Sequence, residues 1–173
     1  MEIEKNSRIL FMKYALPCAG TLVRRDIVSK EYIDNLIEAV KNNQHIPKDA
    51  EKIFKVALSA CSLIALDNEK QIDSDVIREY FLFRHDDMID KRYEEMGDFD
   101  PEACRTRAGV VEFLEEKFAI VKNPSGKRKY RSDFVVDLQK NDIVVTHWNF
   151  IVEKIDKKTA CKMNMSKAVS VLR

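Results

Sequence analysis

The run Asp142–Ile155, Asp-Ile-Val-Val-Thr-His-Trp-Asn-Phe-Ile-Val-Glu-Lys-Ile, constrains the fold more than any other stretch of the chain. β-branched and aromatic residues fill it, and neither Pro nor Gly interrupts it, so it reads as one long strand. In period two, Val144, Thr146, Trp148, Phe150 and Val152 share a face apolar enough to be core. The opposite face, Val145, His147, Asn149, Ile151 and Glu153, is mixed and carries a histidine beside the single Trp of the chain. A histidine held there is either a packed structural residue or part of a preorganised site.

The rest of the chain is not built this way. Residues 1–100 carry 15 Lys and Arg against 20 Asp and Glu, and residues 101–173 carry 15 against 9. An acidic half is thus followed by a basic half, although the whole chain has a net charge of only +1. Such asymmetry points to two units with different surfaces. Hydrophobic residues at 45% are sufficient for a real core, and no apolar run approaches the ~18 residues of a membrane span. The charged N-terminus lacks an apolar signal region, so a cytoplasmic protein is expected. The four cysteines, Cys18, Cys61, Cys104 and Cys161, are scattered without a Cys-x-x-Cys pair. This argues against a disulfide scaffold and against a self-contained cysteine zinc site.

The first hundred residues follow helical period. A helix is expected over 7–16, capped by Ser7 or Asn6 and ended by Pro17, with a turn at Pro17–Gly20 that places Cys18 in a small-residue loop. Ser29 caps a second helix, whose Tyr32, Ile33, Leu36, Ile37 and Val40 fall on one side. Pro47 opens a third, near 48–66, apolar almost all round and therefore expected at a bundle centre with Cys61 as a small core residue. Ser74 starts a fourth, running into Arg84-His85-Asp86-Asp87-Met88-Ile89-Asp90. His85 and its neighbouring aspartates have the residue types of a metal or acid–base site. Adjacent helical residues diverge by about 100°, however, so this stretch is read as a solvated helix end.

Gly97-Asp98-Phe99-Asp100-Pro101 combines strong breakers, and the period changes there from helical to alternating. The expected organisation is a helical domain over 1–97 and a second domain over 102–173. Strands are expected at 108–113, 117–122 and 127–134, with Asn123–Gly126 as a turn, then a loop ending at Asn141 before the long strand. A C-terminal helix over about 157–172 is capped by Asp156. The fold class is α+β: an all-α N-terminal domain and a small OB-like antiparallel β-barrel closed by a helix.

Within the second domain, Cys104-Arg-Thr-Arg-Ala-Gly109-Val-Val-Glu-Phe resembles the Cys-x-x-x-Pro-Gly opening of the HypC/HupF-type hydrogenase maturation chaperones. Phe118-Ala-Ile-Val-Lys and Gly126-Lys-Arg-Lys-Tyr-Arg are similar to that family's second and third strands. Asn141-Asp-Ile-Val-Val-Thr-His147-Trp-Asn-Phe150-Ile resembles its Gly-Asp-x-Val-x-x-His-x-Gly-Phe-Ala signature. The resemblance covers about 104–172. Three differences accompany it: the family's Cys follows the initiator Met whereas Cys104 is internal, Ala108 stands in place of Pro, and Asn141 and Asn149 stand in place of Gly.

The resemblance implies an OB-like barrel that holds an iron–cyano–carbonyl fragment through the Cys. Its partners would be a HypD-like maturation scaffold and the large-subunit precursor of a nickel–iron hydrogenase, which receives the fragment. Carried over, Cys104 is the metal or thiol contact and His147 its functional neighbour, with Gly109, Trp148 and Phe150 in the matching motifs. The iron would be bound transiently, and no other cofactor is implied. By residue chemistry, a thiolate suits low-spin iron, and Arg105 and Arg107 would favour the thiolate and attract an anionic fragment.

A second reading is nucleic-acid binding through the basic run Lys127, Arg128, Lys129 and Arg131 around Tyr130, since OB-like barrels use such faces. The maturation reading is preferred to it. A third is a two-domain protein–protein scaffold. An enzyme is not expected, because the sequence has no P-loop, no Gly-rich dinucleotide loop and no His-Glu-x-x-His.

Overall fold

The computed structural model describes residues 1–92 and 100–170. It divides into two compact units, Met1–Phe81 and Leu82–Arg173. The expected linker Gly97–Pro101 falls largely on residues 97–99, which lie outside the described residues. No helix among the described residues is long and apolar enough to cross a membrane.

The first unit is helical: α1 (Arg8–Ala15), α2 (Ala19–Arg24), α3 (Lys30–Lys41), α4 (Lys55–Asp67) and α5 (Ser74–Arg78). Its core gathers on α1, where Phe11, Met12 and Tyr14 are fully buried. Phe11 meets Phe54 and Phe81 edge-on, with ring centroids 6.5 and 6.2 Å apart, and Tyr14 stacks on Phe81 at 4.7 Å. Such aromatic pairs add to the area they bury. The Ser29 cap forms as expected, its hydroxyl accepting the Tyr32 N–H at 3.1 Å.

Several expectations for this unit change: α4 starts at Lys55 and not near 48, a 3-10 turn Ala50–Ile53 preceding it, and Ser7 at the start of α1 makes no side-chain cap bond. Pro17 does not end the helical path: it lies in a 3-10 turn, Leu16–Cys18, that leads directly into α2. Proline is tolerated in a first turn, where its missing N–H would have no intrahelical partner. Nor is α4 enclosed. It packs through Ala60, Cys61, Ile64 and Ala65, while Val56, Leu63 and Leu66 are 45%, 63% and 60% exposed. Its all-round apolar composition hides one packed side made mainly of small residues.

A π-helical stretch, Glu79–Arg84, leads into α6 (His85–Arg92), the first helix of the second unit. A one-turn helix, α7 (Pro101–Cys104), precedes the strands β1 (Arg107–Leu114), β2 (Phe118–Asn123), β3 (Gly126–Arg131), β4 (Ile143–His147) and β5 (Phe150–Lys154). They form a closed barrel in the order β1-β2-β3-β5-β4, with β4 returning to β1. All pairings are antiparallel except β3 with β5, which meet in parallel at Arg131 and Phe150. This is the expected OB-like barrel, followed by the C-terminal helix α8 (Lys157–Ser170).

The barrel core contains Val111, Ala119, Val121, Tyr130, Val144 and Ile151. Closure places severe limits on β1. A Cβ built on Gly109 would lie 2.6 Å from Val121 Cγ1 and 2.8 Å from the Lys122 carbonyl oxygen, so no larger residue fits without movement. Asn123 pairs with Gly126 across the expected tight turn, where Gly126 has φ +111°. Asn141 takes φ +72° before β4, a conformation that Asn adopts more readily than most residues. Asp156 caps α8 by accepting the Thr159 N–H at 2.6 Å.

The long strand is corrected. Asp142–Ile155 folds back on itself as the β4–β5 hairpin, with Trp148 and Asn149 as its two-residue turn and His147 paired to Phe150. The register also shifts between Val145 and Thr146, leaving Val152 as the extra residue on β5. The expected core face Val144, Thr146, Trp148, Phe150 and Val152 is therefore divided between two strands. Val144 of β4 and Ile151 of β5, from opposite faces of the supposed single strand, enter the same core.

Candidate metal centre

The barrel's own register assembles the site. Arg107 pairs with Thr146, so the start of β1 lies beside the end of β4. Cys104 comes three residues before Arg107, and His147 one residue after Thr146, which brings both to one end of the barrel. The Thr146 hydroxyl reinforces the join by donating to the Arg107 carbonyl at 3.3 Å.

Cys104 ends α7, a helix short enough to need its cap. Asp100 supplies it by accepting the Ala103 N–H at 3.1 Å, and Pro101 occupies the favoured first position. Cys104 is 3% exposed and His147 fully buried, with the cysteine Sγ 3.6 Å from His147 Nε2. Of the residues singled out in the sequence, these two come together. Trp148 sits in the adjoining turn with φ +52°, an unusual value for a bulky residue. Its backbone N–H donates to the Ala103 carbonyl at 2.8 Å, fastening the hairpin turn to α7.

A third donor comes from the stretch expected to be a solvated helix end. His85, the first residue of α6, is 6% exposed, and its Nε2 lies 3.9 Å from Cys104 Sγ. Its ring meets that of His147 edge-on, with centroids 5.1 Å apart. The donor atoms of His85, Cys104 and His147 all lie within 4.8 Å of one another, a cluster able to hold a metal ion. Burial pulls the His85 pKa below the ordinary histidine value, against the opposing influence of Cys104. The ring is thereby kept neutral, the form that ligates metals. The expected solvated helix end is thus only half correct: Asp87 and Asp90 are exposed, whereas His85 and Asp86 are buried.

Arg105 and Arg107 face carboxylates. Arg107 contacts Asp86 at 2.8 Å and Glu102 at 3.2 Å. Arg105 contacts Glu102 at 2.8 Å and pairs also with Asp90, while Asp86 lies 3.8 Å away. Burial works to lower the Arg105 pKa, but the hydrogen bonds it donates to Asp90 and Glu102 outweigh it and raise the value. Two guanidinium groups and three carboxylates make a network that ties α6, α7 and β1 together. Its summed charge is not positive, so the arginines act here by fixing structure more than by presenting free cationic charge.

Gly109 and Phe150 have structural placements. Gly109 allows β1 to pass close to β2, and Phe150 stacks on Phe134 at 4.9 Å with the Arg131 guanidinium over its ring. The basic hairpin is largely compensated. Lys127 pairs with Glu112 at 2.6 Å, Lys129 with Glu115, and Arg131 with Asp133 at 2.8 Å, leaving Arg128 as an exposed basic residue beside them. A cavity lined in part by Arg107, Asn123, Tyr130, Thr146 and Trp148 measures about 20 Å³, on the scale of a single water.

Cys61 is buried in the first unit as expected, and its burial pushes the thiol up to about 12. Cys161 is not a packing residue. It faces solvent on α8, while Ala160 and Met163 turn inward. Neither a protein-family model nor a curated protein matches the sequence.

Proposed function

We propose that the second unit is a metal-handling module of the HypC type. It holds an iron–cyano–carbonyl precursor, or the protein that carries it, and passes the fragment to a hydrogenase large-subunit precursor. The observation that carries this reading is the 3.6 Å approach of Cys104 Sγ to His147 Nε2 at one end of an OB-like barrel. These are the two residues that the resemblance pairs, and they come from segments 43 residues apart.

The chemistry of the pair suits the cargo. A thiolate is a soft ligand for low-spin iron, and an imidazole at this distance relays the thiol proton to solvent as the iron binds. Cys104 is buried at the end of a capped helix, so the donor is preorganised and needs no ordering step on binding. The role is carriage and transfer, with a HypD-like scaffold as the donor partner. Nucleic-acid binding is less well supported, because Lys127, Lys129 and Arg131 are already matched by acidic neighbours.

The test is anaerobic isolation with a HypD-like scaffold, followed by infrared spectroscopy in the cyanide and carbonyl stretching region. Wild type should show the bands and Cys104→Ala should lose them. If wild type purified with the scaffold carries no bands, the iron assignment falls.

A further inference from the structure

We infer that His85 is a third protein ligand, and that His85, Cys104 and His147 form a site for one borderline-soft divalent metal ion such as zinc or ferrous iron. The inference deepens the reading above, since it uses the same cysteine and histidine. It adds a residue outside the segment that carries the family resemblance. The site then becomes a fixed centre of two imidazole nitrogens and one thiolate sulfur, in place of a two-residue contact.

The spacing of the donors supports this. A tetrahedral ion with metal–sulfur bonds of ~2.3 Å and metal–nitrogen bonds of ~2.0–2.1 Å separates S from N by about 3.5–3.6 Å. Cys104 Sγ stands 3.6 Å from His147 Nε2 and 3.9 Å from His85 Nε2. An ion can therefore be accommodated with adjustments of a few tenths of an ångström. Both histidines turn the same nitrogen, Nε2, toward a single sulfur, and their rings stand at 81° to one another. Nearly perpendicular rings let both nitrogen lone pairs point to one centre without stacking.

The supports of the three ligands are independent elements fixed to each other. His85 opens α6, Cys104 ends α7, and His147 ends β4. The Asp86–Arg107 ion pair at 2.8 Å joins the residue after His85 to the start of β1. The bond from Trp148 to Ala103 at 2.8 Å joins the residue after His147 to the residue before Cys104. Each ligand is thus adjacent to a contact that limits its movement, as well-ordered metal sites require.

Thiolate plus two imidazoles is a borderline-soft donor set. It favours zinc, ferrous iron or cobalt over magnesium or calcium, which take oxygen ligands. Binding removes the proton from the Cys104 thiol and releases it to solvent, so uptake is accompanied by proton release.

Cobalt(II) is the probe. The full chain, freed of metal and reduced, should take up one Co²⁺ and show a thiolate-to-cobalt charge-transfer band together with the d–d bands of a tetrahedral ion. Cys104→Ala should lose the charge-transfer band. His85→Ala and His147→Ala should each weaken cobalt and zinc affinity at least tenfold, with far-ultraviolet circular dichroism unchanged. His85→Gln guards against loss of packing: it retains bulk and should also weaken binding. If both His85 variants stay folded and bind cobalt as wild type does, the inference is overturned. Cobalt or zinc binding that needs His85, without cyanide or carbonyl bands in the scaffold-bound protein, sustains the site and removes the carrier reading. Infrared bands insensitive to His85→Ala, with no cobalt binding, do the reverse.

Discussion

The N–H of Trp148 donates to the carbonyl of Ala103 at 2.8 Å, so the residue after one proposed ligand is bonded to the residue before another. Trp148 has φ +52°, at the first position of the two-residue turn between β4 and β5. Proline at this site has no N–H, and its ring fixes φ near −65°. Trp148→Pro should therefore lose both the turn and the Ala103 bond, destabilising the second unit by about 3 kcal/mol or more. Glycine accepts positive φ and keeps the donor, so Trp148→Gly should remain folded despite losing the indole. Urea titration of the two variants makes the comparison, and a Trp148→Pro protein as stable as wild type would sink the account.

The turn at Trp148 also shows where sequence reading reaches its limit. Barrel, strand positions, Asn123–Gly126 turn and C-terminal helix were legible, because alternation and Gly, Pro and Asn chemistry are local signals. The β4–β5 turn was not. Two-residue hairpin turns announce themselves by Asn-Gly or Gly-x, and Trp-Asn between β-prone neighbours carries neither sign. Cys104 and His147 were singled out together by the family resemblance alone, and the fold brings them 3.6 Å apart. His85 lies outside that resemblance, and a histidine beside aspartates on a helix does not by itself mark a ligand. Its partners lie 19 and 62 positions later in the chain, brought to it by tertiary structure that no local period encodes.

Gly109 should tolerate no side chain. The Cβ of an alanine would come within 2.6 Å of Val121 Cγ1 and 2.8 Å of a backbone oxygen, and the backbone contact cannot be relieved by a rotamer change. Gly109→Ala is expected to cost about 1–3 kcal/mol through overpacking. Chemical denaturation with the Gly126→Ala variant alongside distinguishes the causes. At Gly126 nothing lies within 4 Å of the added Cβ, so its penalty comes from φ +111° alone. Wild-type stability for Gly109→Ala would show that the two strands can separate more readily than the geometry allows.

The thiols should react in order of access. Cys161 is exposed and Cys61 is buried, and burial lifts the Cys61 thiol to about 12. At pH 8 the latter leaves roughly one molecule in ten thousand as thiolate, the reactive form. Iodoacetamide at that pH should label Cys161 in the folded protein and reach Cys61 only after denaturant is added. Peptide mass mapping over a time course reads the order, and equal native rates at the two positions would contradict the burial.

Asp142 should make stability fall in acid. Its carboxylate accepts from Lys154 Nζ at 2.7 Å and from the Gln139 N–H at 2.8 Å, bonds that hold the hairpin's open end. The Lys154 bond is the main reason its pKa lies below the ordinary value of 3.8, with Gln139 adding to it and burial opposing. A depressed folded pKa means that the unfolded chain takes up the proton first as pH falls. The stabilisation is therefore fully present above about pH 4–5 and disappears as pH falls through the folded value. With the carboxylate 25% exposed, screening keeps the contribution to about 0.5–1 kcal/mol. Asp142→Asn should accordingly melt below wild type at pH 7, with the gap narrowing as pH falls below about 4. A gap that stays constant across that range would assign the loss to packing or hydrogen-bond geometry instead of charge.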